Sequence, residues 1–169
     1  MRRVDGVAIG IVKEIDAEGA RLKVEFPWLQ DSYRSNWAPV AGPMSGNKRG
    51  MFMMPENDDE VLVAFEQGSI DHPFVVGFLW NGVDLPPETT NKNRVIVTPG
   101  GHTLRFEDEE GAKKIILRSN GGHEITLDDA GTTLVVQLKG GGSIKLTDES
   151  LEMEHGHKIT ITSQGIALE

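Results

Sequence analysis

The 169-residue chain contains no cysteine, which excludes disulfide staples and thiolate metal sites and fits synthesis in a reducing cytoplasm. Positive charge is scarce: 17 Lys and Arg stand against 26 Asp and Glu, a formal net charge of −9. Phosphate binding needs clustered Lys and Arg, so no nucleic-acid partner is expected, and anionic lipid headgroups exert no attraction. Aromatic residues make up only 6% of the chain. No apolar run approaches the roughly 20 residues that span a bilayer. The basic start Arg2-Arg3 is followed by no apolar core, so no signal peptide is visible.

What is present is glycine, 20 residues of it, which points to many turns between short elements. The chain changes character at Asp84-Leu85-Pro86-Pro87-Glu88-Thr89-Thr90-Asn91-Lys92. Adjacent prolines stop strand pairing and the polar residues after them have nothing to bury, so this stretch reads as a linker. The predicted organisation is a first domain over 1–84, a linker over 85–93 and a second domain over 94–169. In the first domain Val7–Val12, Arg21–Phe26, Glu60–Phe65 and Pro73–Leu79 read as strands, with a fifth around Trp37–Val40. Five short strands in about eighty residues suit a small barrel such as the oligonucleotide/oligosaccharide-binding (OB) fold. No amphipathic helix is evident there.

The second domain repeats itself. Gly101-His102-Thr103-Leu104-Arg105-Phe106, Gly122-His123-Glu124-Ile125-Thr126-Leu127, Gly141-Gly142-Ser143-Ile144-Lys145-Leu146 and Gly156-His157-Lys158-Ile159-Thr160-Ile161 share one form. Between them lie Lys114–Leu117, Leu134–Leu138, Leu151–Met153 and Ile166–Leu168. Almost every strand carries two apolar residues two positions apart, the period of a strand with one dry and one wet face. The spacing of these pairs shrinks along the chain, which predicts elements that shorten toward the C-terminus. Each buried Leu or Ile contributes roughly 1.5–3 kcal/mol, against roughly 1–2 kcal/mol of backbone entropy per ordered residue. Two buried residues per strand cannot balance that while sheet edges also stay open. Neighbouring chains must complete the core. The arithmetic demands an oligomer without fixing its number.

The first half, from Gly6-Val7-Ala8-Ile9-Gly10-Ile11-Val12 through Trp37-Ala38-Pro39-Val40 and Asp59-Glu60-Val61-Leu62-Val63-Ala64-Phe65 to His72-Pro73-Phe74-Val75-Val76-Gly77-Phe78, resembles the OB domain of phage baseplate assembly protein V and of the valine-glycine-repeat (VgrG-like) spikes of type VI secretion. Asn57-Asp58 departs from it, where the family usually carries Val-Gly. The resemblance implies an all-β protein: an N-terminal OB-fold barrel followed by an intertwined trimeric β-helix or β-prism needle. It implies the homotrimeric central spike of a contractile injection machine, which pierces the target envelope, carries a tip, and is not an enzyme. The implied partners are a baseplate hub protein, a tip protein of the proline-alanine-alanine-arginine (PAAR) type, and effector cargo. The spike would be made in the cytoplasm, assembled into the injection particle with no stable membrane insertion at rest, and delivered on contraction. Because no hub-like segment precedes Met1, the hub is expected to be a separate protein or to have been cut off. The alternative class is a binding module whose barrel grips a glycan or effector.

Several residues invite a sharper reading. Trp28, Trp37 and Trp80 invite a stacking role, since OB folds often bind nucleic acid or sugar, but the acidic balance and the collar role of the barrel in the family favour a structural reading. The acidic runs Glu107-Asp108-Glu109-Glu110 and Asp128-Asp129 sit beyond strands and before glycine, as solvated turns do. No catalytic constellation is recognisable. His155 and His157 would supply six imidazoles in a trimer, enough for an octahedral shell, and some spikes of the family hold an iron ion in this way. Since His157 aligns with His102 and His123, a recurrent turn position is the preferred reading, with no cofactor. The tip protein is expected to dock on Ile166, Ala167, Leu168 and Glu169.

Overall fold

The computed structural model describes residues 3–29 and 33–168. They form two compact units, 1–85 and 86–169, with no α-helix among the described residues.

In the first unit the strands are β1 (Val7–Asp16), β2 (Arg21–Glu25), β3 (Ala38–Pro39), β4 (Ser45–Gly46), β5 (Arg49–Gly50), β6 (Glu60–Phe65) and β7 (Pro73–Phe78). Five of them form one antiparallel sheet in the order β3-β2-β1-β6-β7. A parallel bridge between Val40 and Val75 joins its two edges, so the sheet is a nearly closed barrel. Alternate side chains point inward: Val12, Leu22, Val24, Phe26, Ala38, Val61, Val63 and Val75 are wholly buried. The expected strand around Trp37–Val40 contracts to two residues, and a small hairpin, β4–β5, was not foreseen.

β1 is long because a bulge resets its phase. Val12 pairs with Val24 and Glu14 with Lys23, leaving Lys13 as the extra residue. Without that insertion the strict two-residue period would turn Glu14 into the core. With it Glu14 faces outward and meets Lys23 Nζ at 2.9 Å, while Ile15 packs against the core. The Asn57-Asp58 turn docks on this bulge: Asp58 donates its N–H to the Val12 carbonyl, and its carboxylate meets Lys13 Nζ at 2.7 Å. Asp58 has φ +72°, a left-handed conformation that suits glycine and that Asp tolerates better than most residues. The departure from the family pattern therefore keeps the turn.

The second unit is a nine-stranded antiparallel meander in which every strand pairs with its neighbours in sequence. Its strands are β8 (Asn93–Val97), β9 (Thr103–Glu107), β10 (Lys114–Arg118), β11 (Glu124–Asp128), β12 (Thr133–Gln137), β13 (Ser143–Leu146), β14 (Ser150–His155), β15 (His157–Thr162) and β16 (Gly165–Leu168). Two sequence expectations change here. The strands do not shorten; the connections do, from residues 98–102 and 108–113 to Gly156 alone and the pair 163–164. Nor are sheet edges open along the length, because consecutive strands satisfy each other's backbone and only β8 and β16 are edge strands. What one chain leaves unsatisfied is its apolar surface.

Candidate functional site

Register turns the apolar pairs into two continuous rows. One runs Ile96, Leu104, Leu117, Ile125, Val136, Ile144, Met153, Ile159 and Leu168, each directly opposite the next across all nine strands. The other begins at Arg94 and continues through Phe106, Ile115, Leu127, Leu134, Leu146, Leu151, Ile161 and Ile166. Positions two apart on a strand share a face, so both rows lie on the same side of the sheet. Most of these side chains are exposed in the single chain. An apolar strip of this length, open to water, marks an interaction surface. Arg94 is the exception at its head, held by Asp108 Oδ2 at 3.0 Å.

The opposite face is mostly polar and ion-paired, with Val95, Ile116 and Val135 interspersed among its charged residues. Arg105 bridges Glu88 (2.7 Å) and Glu107 (2.9 Å), Lys114 meets Asp128 at 2.9 Å, Arg118 pairs with Glu124, and Lys158 meets Glu152 at 3.0 Å. Of the carboxylates that invited a catalytic reading, Glu107, Asp108 and Asp128 are held in ion pairs with Arg105, Arg94 and Lys114. The Asp128 pKa is lowered by the Gly131 N–H that caps it and then by Lys114. That of Glu88 falls to about 2, because Asn93 and the Thr89 and Thr90 N–H groups donate to it, with Arg105 close by.

The glycine-histidine positions form one margin of the dry face. Gly101, Gly122 and Gly141 adopt positive φ in three turns of the same design, in which Thr98, Ser119 and Leu138 bond to the residue four positions on. His102 Nδ1 accepts the N–H of Asn120 (3.2 Å) and His123 Nδ1 that of Lys139 (3.5 Å), so each imidazole ties its turn to the next. His155 and His157 face each other across Gly156, with His155 packed over Gly142, where a Cβ would lie 3.0 Å from Nδ1. Both rings share the face of Met153 and Ile159 and line one depression with them. Within one chain these two imidazoles have no third ligand: among the described residues no group of three or more His, Asp or Glu could hold a metal.

Of the tip residues, Ile166 and Leu168 end the two apolar rows on β16 and are 71% and 78% exposed; Ala167 lies between them, and Glu169 is outside the described residues. The tryptophans diverge. Trp37 lies beneath Arg21 and Lys23, 5.2 and 4.8 Å from its ring centre. Trp28 leans on Phe26, whereas Trp80, expected to be packed, is 69% exposed. The sequence reading passed over β8, whose Asn93-Arg94-Val95-Ile96-Val97 carries a β-branched run. That run was the available signal, obscured by the linker beside it.

Residues 8–80 match the type VI secretion system/phage-baseplate injector OB domain, and residues 93–154 match the phage baseplate V C-terminal trimerisation domain. The chain belongs to this baseplate V and VgrG-like spike family. It is 29% identical to the type VI secretion system spike protein VgrG3 of Vibrio cholerae, over 69% of this chain and 13% of that protein. It is 33% identical to the spike protein VgrG5 of Pseudomonas aeruginosa, over 59% of this chain and 14% of the relative. The actin cross-linking toxin VgrG1 of Vibrio cholerae is 26% identical over 84% of this chain and 14% of its own length. The chain thus spans about one seventh of the length of these curated relatives.

Proposed function

We propose that this chain is the structural central spike of a contractile injection machine, phage-tail-like or type VI-like, working as a homotrimeric needle that pierces a target envelope and carries a tip. The observation that carries this reading is the pair of apolar rows crossing all nine strands on one face. Three such sheets with their dry faces turned inward bury both rows along a common axis and leave the ion-paired faces in water. The resulting shaft transmits force, because every backbone ladder is continuous and few long loops are left to buckle. Among the described residues no helix is long and apolar enough to cross a membrane; in this reading the needle is driven through one by contraction of the particle into which it is assembled after synthesis in the cytoplasm. A baseplate hub protein seats the barrel end, a PAAR-type tip protein docks on Ile166, Ala167, Leu168 and Glu169, and effector cargo travels with the assembly. The chain itself performs no chemistry and requires no metal.

Analytical ultracentrifugation tests this directly: the native mass should be three times the 18.5 kDa of one chain, and electron microscopy should show threefold needles. A folded monomer would overturn it. One observation favours the binding-module alternative, namely Trp80 exposed beside a depression of about 500 Å³ lined by Phe78, Leu79 and three carboxylates. Calorimetric titration with glycans or an effector would support that alternative only if binding is lost in Trp80→Ala.

A further inference from the structure

The outer surface of the barrel is divided by chemistry. Around β1 and β2 it is charged and internally paired: Glu14 holds both Lys23 and Arg34, and Asp16 meets Arg21 at 2.7 Å. Across β1, β6 and β7 it is apolar. Register places Val7 beside Ala64 and Phe74, and Ile9 beside Leu62, with Val76 in the bulge that follows. Val7, Ile9, Phe74 and Val76 are all exposed. Phe78, farther along β7, borders a second apolar area with Met44 and the exposed segment Met51-Phe52-Met53, which lies outside any strand. A half-wet antiparallel sheet carries polar side chains on its outer face, and this barrel obeys that rule on one half only.

We infer that the β1–β6–β7 face of each barrel is covered by the barrels of the other copies, forming a second self-association surface separate from the strand ladder. The inference rests on the trimeric reading above, and the chain itself names the occupant. Only residues 86–92 separate Leu85 from β8, a reach of at most ~25 Å. Short tethers of this kind hold linked modules at an effective concentration on the order of millimolar. Trimerised ladders therefore keep three barrels within reach of one another. Contacts around a threefold axis are heterologous, each copy offering two adjoining surfaces. The β1–β6–β7 strip and the methionine-lined area, which meet near Phe78, supply the two, and methionine packs adaptably against irregular partners.

The absence of cysteine makes the test clean. Val76→Cys and Ile9→Cys report on the apolar half and Arg34→Cys on the charged half; in one chain Val76 is 44% exposed and the Arg34 side chain 55%. In the native full-length chain, alkylation of Cys at 76 and 9 should be at least roughly tenfold slower than at 34, since covered thiols react only on local opening. The three rates should converge in denaturant. Equal native rates in a chain whose mass is trimeric overturn this inference and leave the spike reading standing. A monomeric mass overturns both. Protection that arises only when a hub protein is added assigns the face to that partner and overturns the self-contact.

Discussion

Glu88 Oε2 lies 2.7 Å from Arg105 Nη2, joining the linker to the polar face of β9. The same carboxylate accepts the Asn93 amide and the Thr89 and Thr90 N–H groups. These contacts organise the stretch that the sequence presented as featureless, and they lower the Glu88 pKa to about 2. A carboxylate whose folded pKa is depressed stabilises the fold above its unfolded value, and that contribution is lost as pH falls toward the folded value. Glu88→Gln should therefore lower the denaturation midpoint at neutral pH. The gap from the parent should hold down to about pH 4.5, the ordinary glutamate value, and close by about pH 2. Urea titrations at several pH values would check this, and a gap independent of pH would contradict it.

Ile125 and Thr126 are neighbours on β11 with opposite surroundings. Ile125 sits in an apolar row between Leu117 and Val136, whereas the Thr126 hydroxyl donates to Glu124 at 2.9 Å on the polar face. Ile125→Asp should cost more than about 3 kcal/mol per chain and break the trimer, because three carboxylates lose water together near the axis. Thr126→Asp should stay within about 1 kcal/mol, as surface changes do. Denaturation midpoints and sedimentation of the two variants side by side are the measurement. Equal effects would reverse the assignment of the two faces.

At Asp58 backbone conformation and ion pairing compete. The φ of +72° favours glycine, while the exposed Lys13 contact is of a kind worth little. Asp58→Gly should be neutral to within about 0.5 kcal/mol, whereas Asp58→Ala, which keeps the strain and loses the contact, should cost about 1 kcal/mol. Thermal denaturation separates the two. A larger loss in the glycine variant would show that the Lys13 pair dominates this turn.

The end of the ladder offers a choice between docking and metal. If a PAAR-type protein docks on Ile166, Ala167, Leu168 and Glu169, deleting 163–169 removes its binding in a pull-down while the trimer survives. Elemental analysis of the purified chain then finds no metal, and His155→Ala with His157→Ala leaves that result unchanged. About one iron per trimer, lost in the double variant, would support self-capping at the histidines instead.

Several features were legible in the sequence because they depend on local chemistry. Apolar residues two positions apart require strands with one dry face, and glycines with a following histidine mark repeated turns. The preference for His157 as a turn residue rested on its alignment with His102 and His123. The structure adds what those two do: each Nδ1 binds the next turn. The sequence could not show that the strands pair within one chain, since alternation is the same whether the partner strand is the chain's own or a neighbour's.

The sequence by itself determined the periods and the turns, each set within a few adjacent residues. Tertiary structure decided register. Only pairing aligns Ile96 with Leu104 and, strand by strand, with Leu168, and a one-residue slip would scatter both rows across two faces. The bulge at Lys13 is a decision of the same kind, made by the strands on either side of β1. So is the apolar outer half of the barrel: in Val7-Ala8-Ile9 every residue is apolar, and nothing local tells inside from outside. The pairing of β1 with β6 turns Val7 and Ile9 to the surface and so decides what is left for another chain to cover.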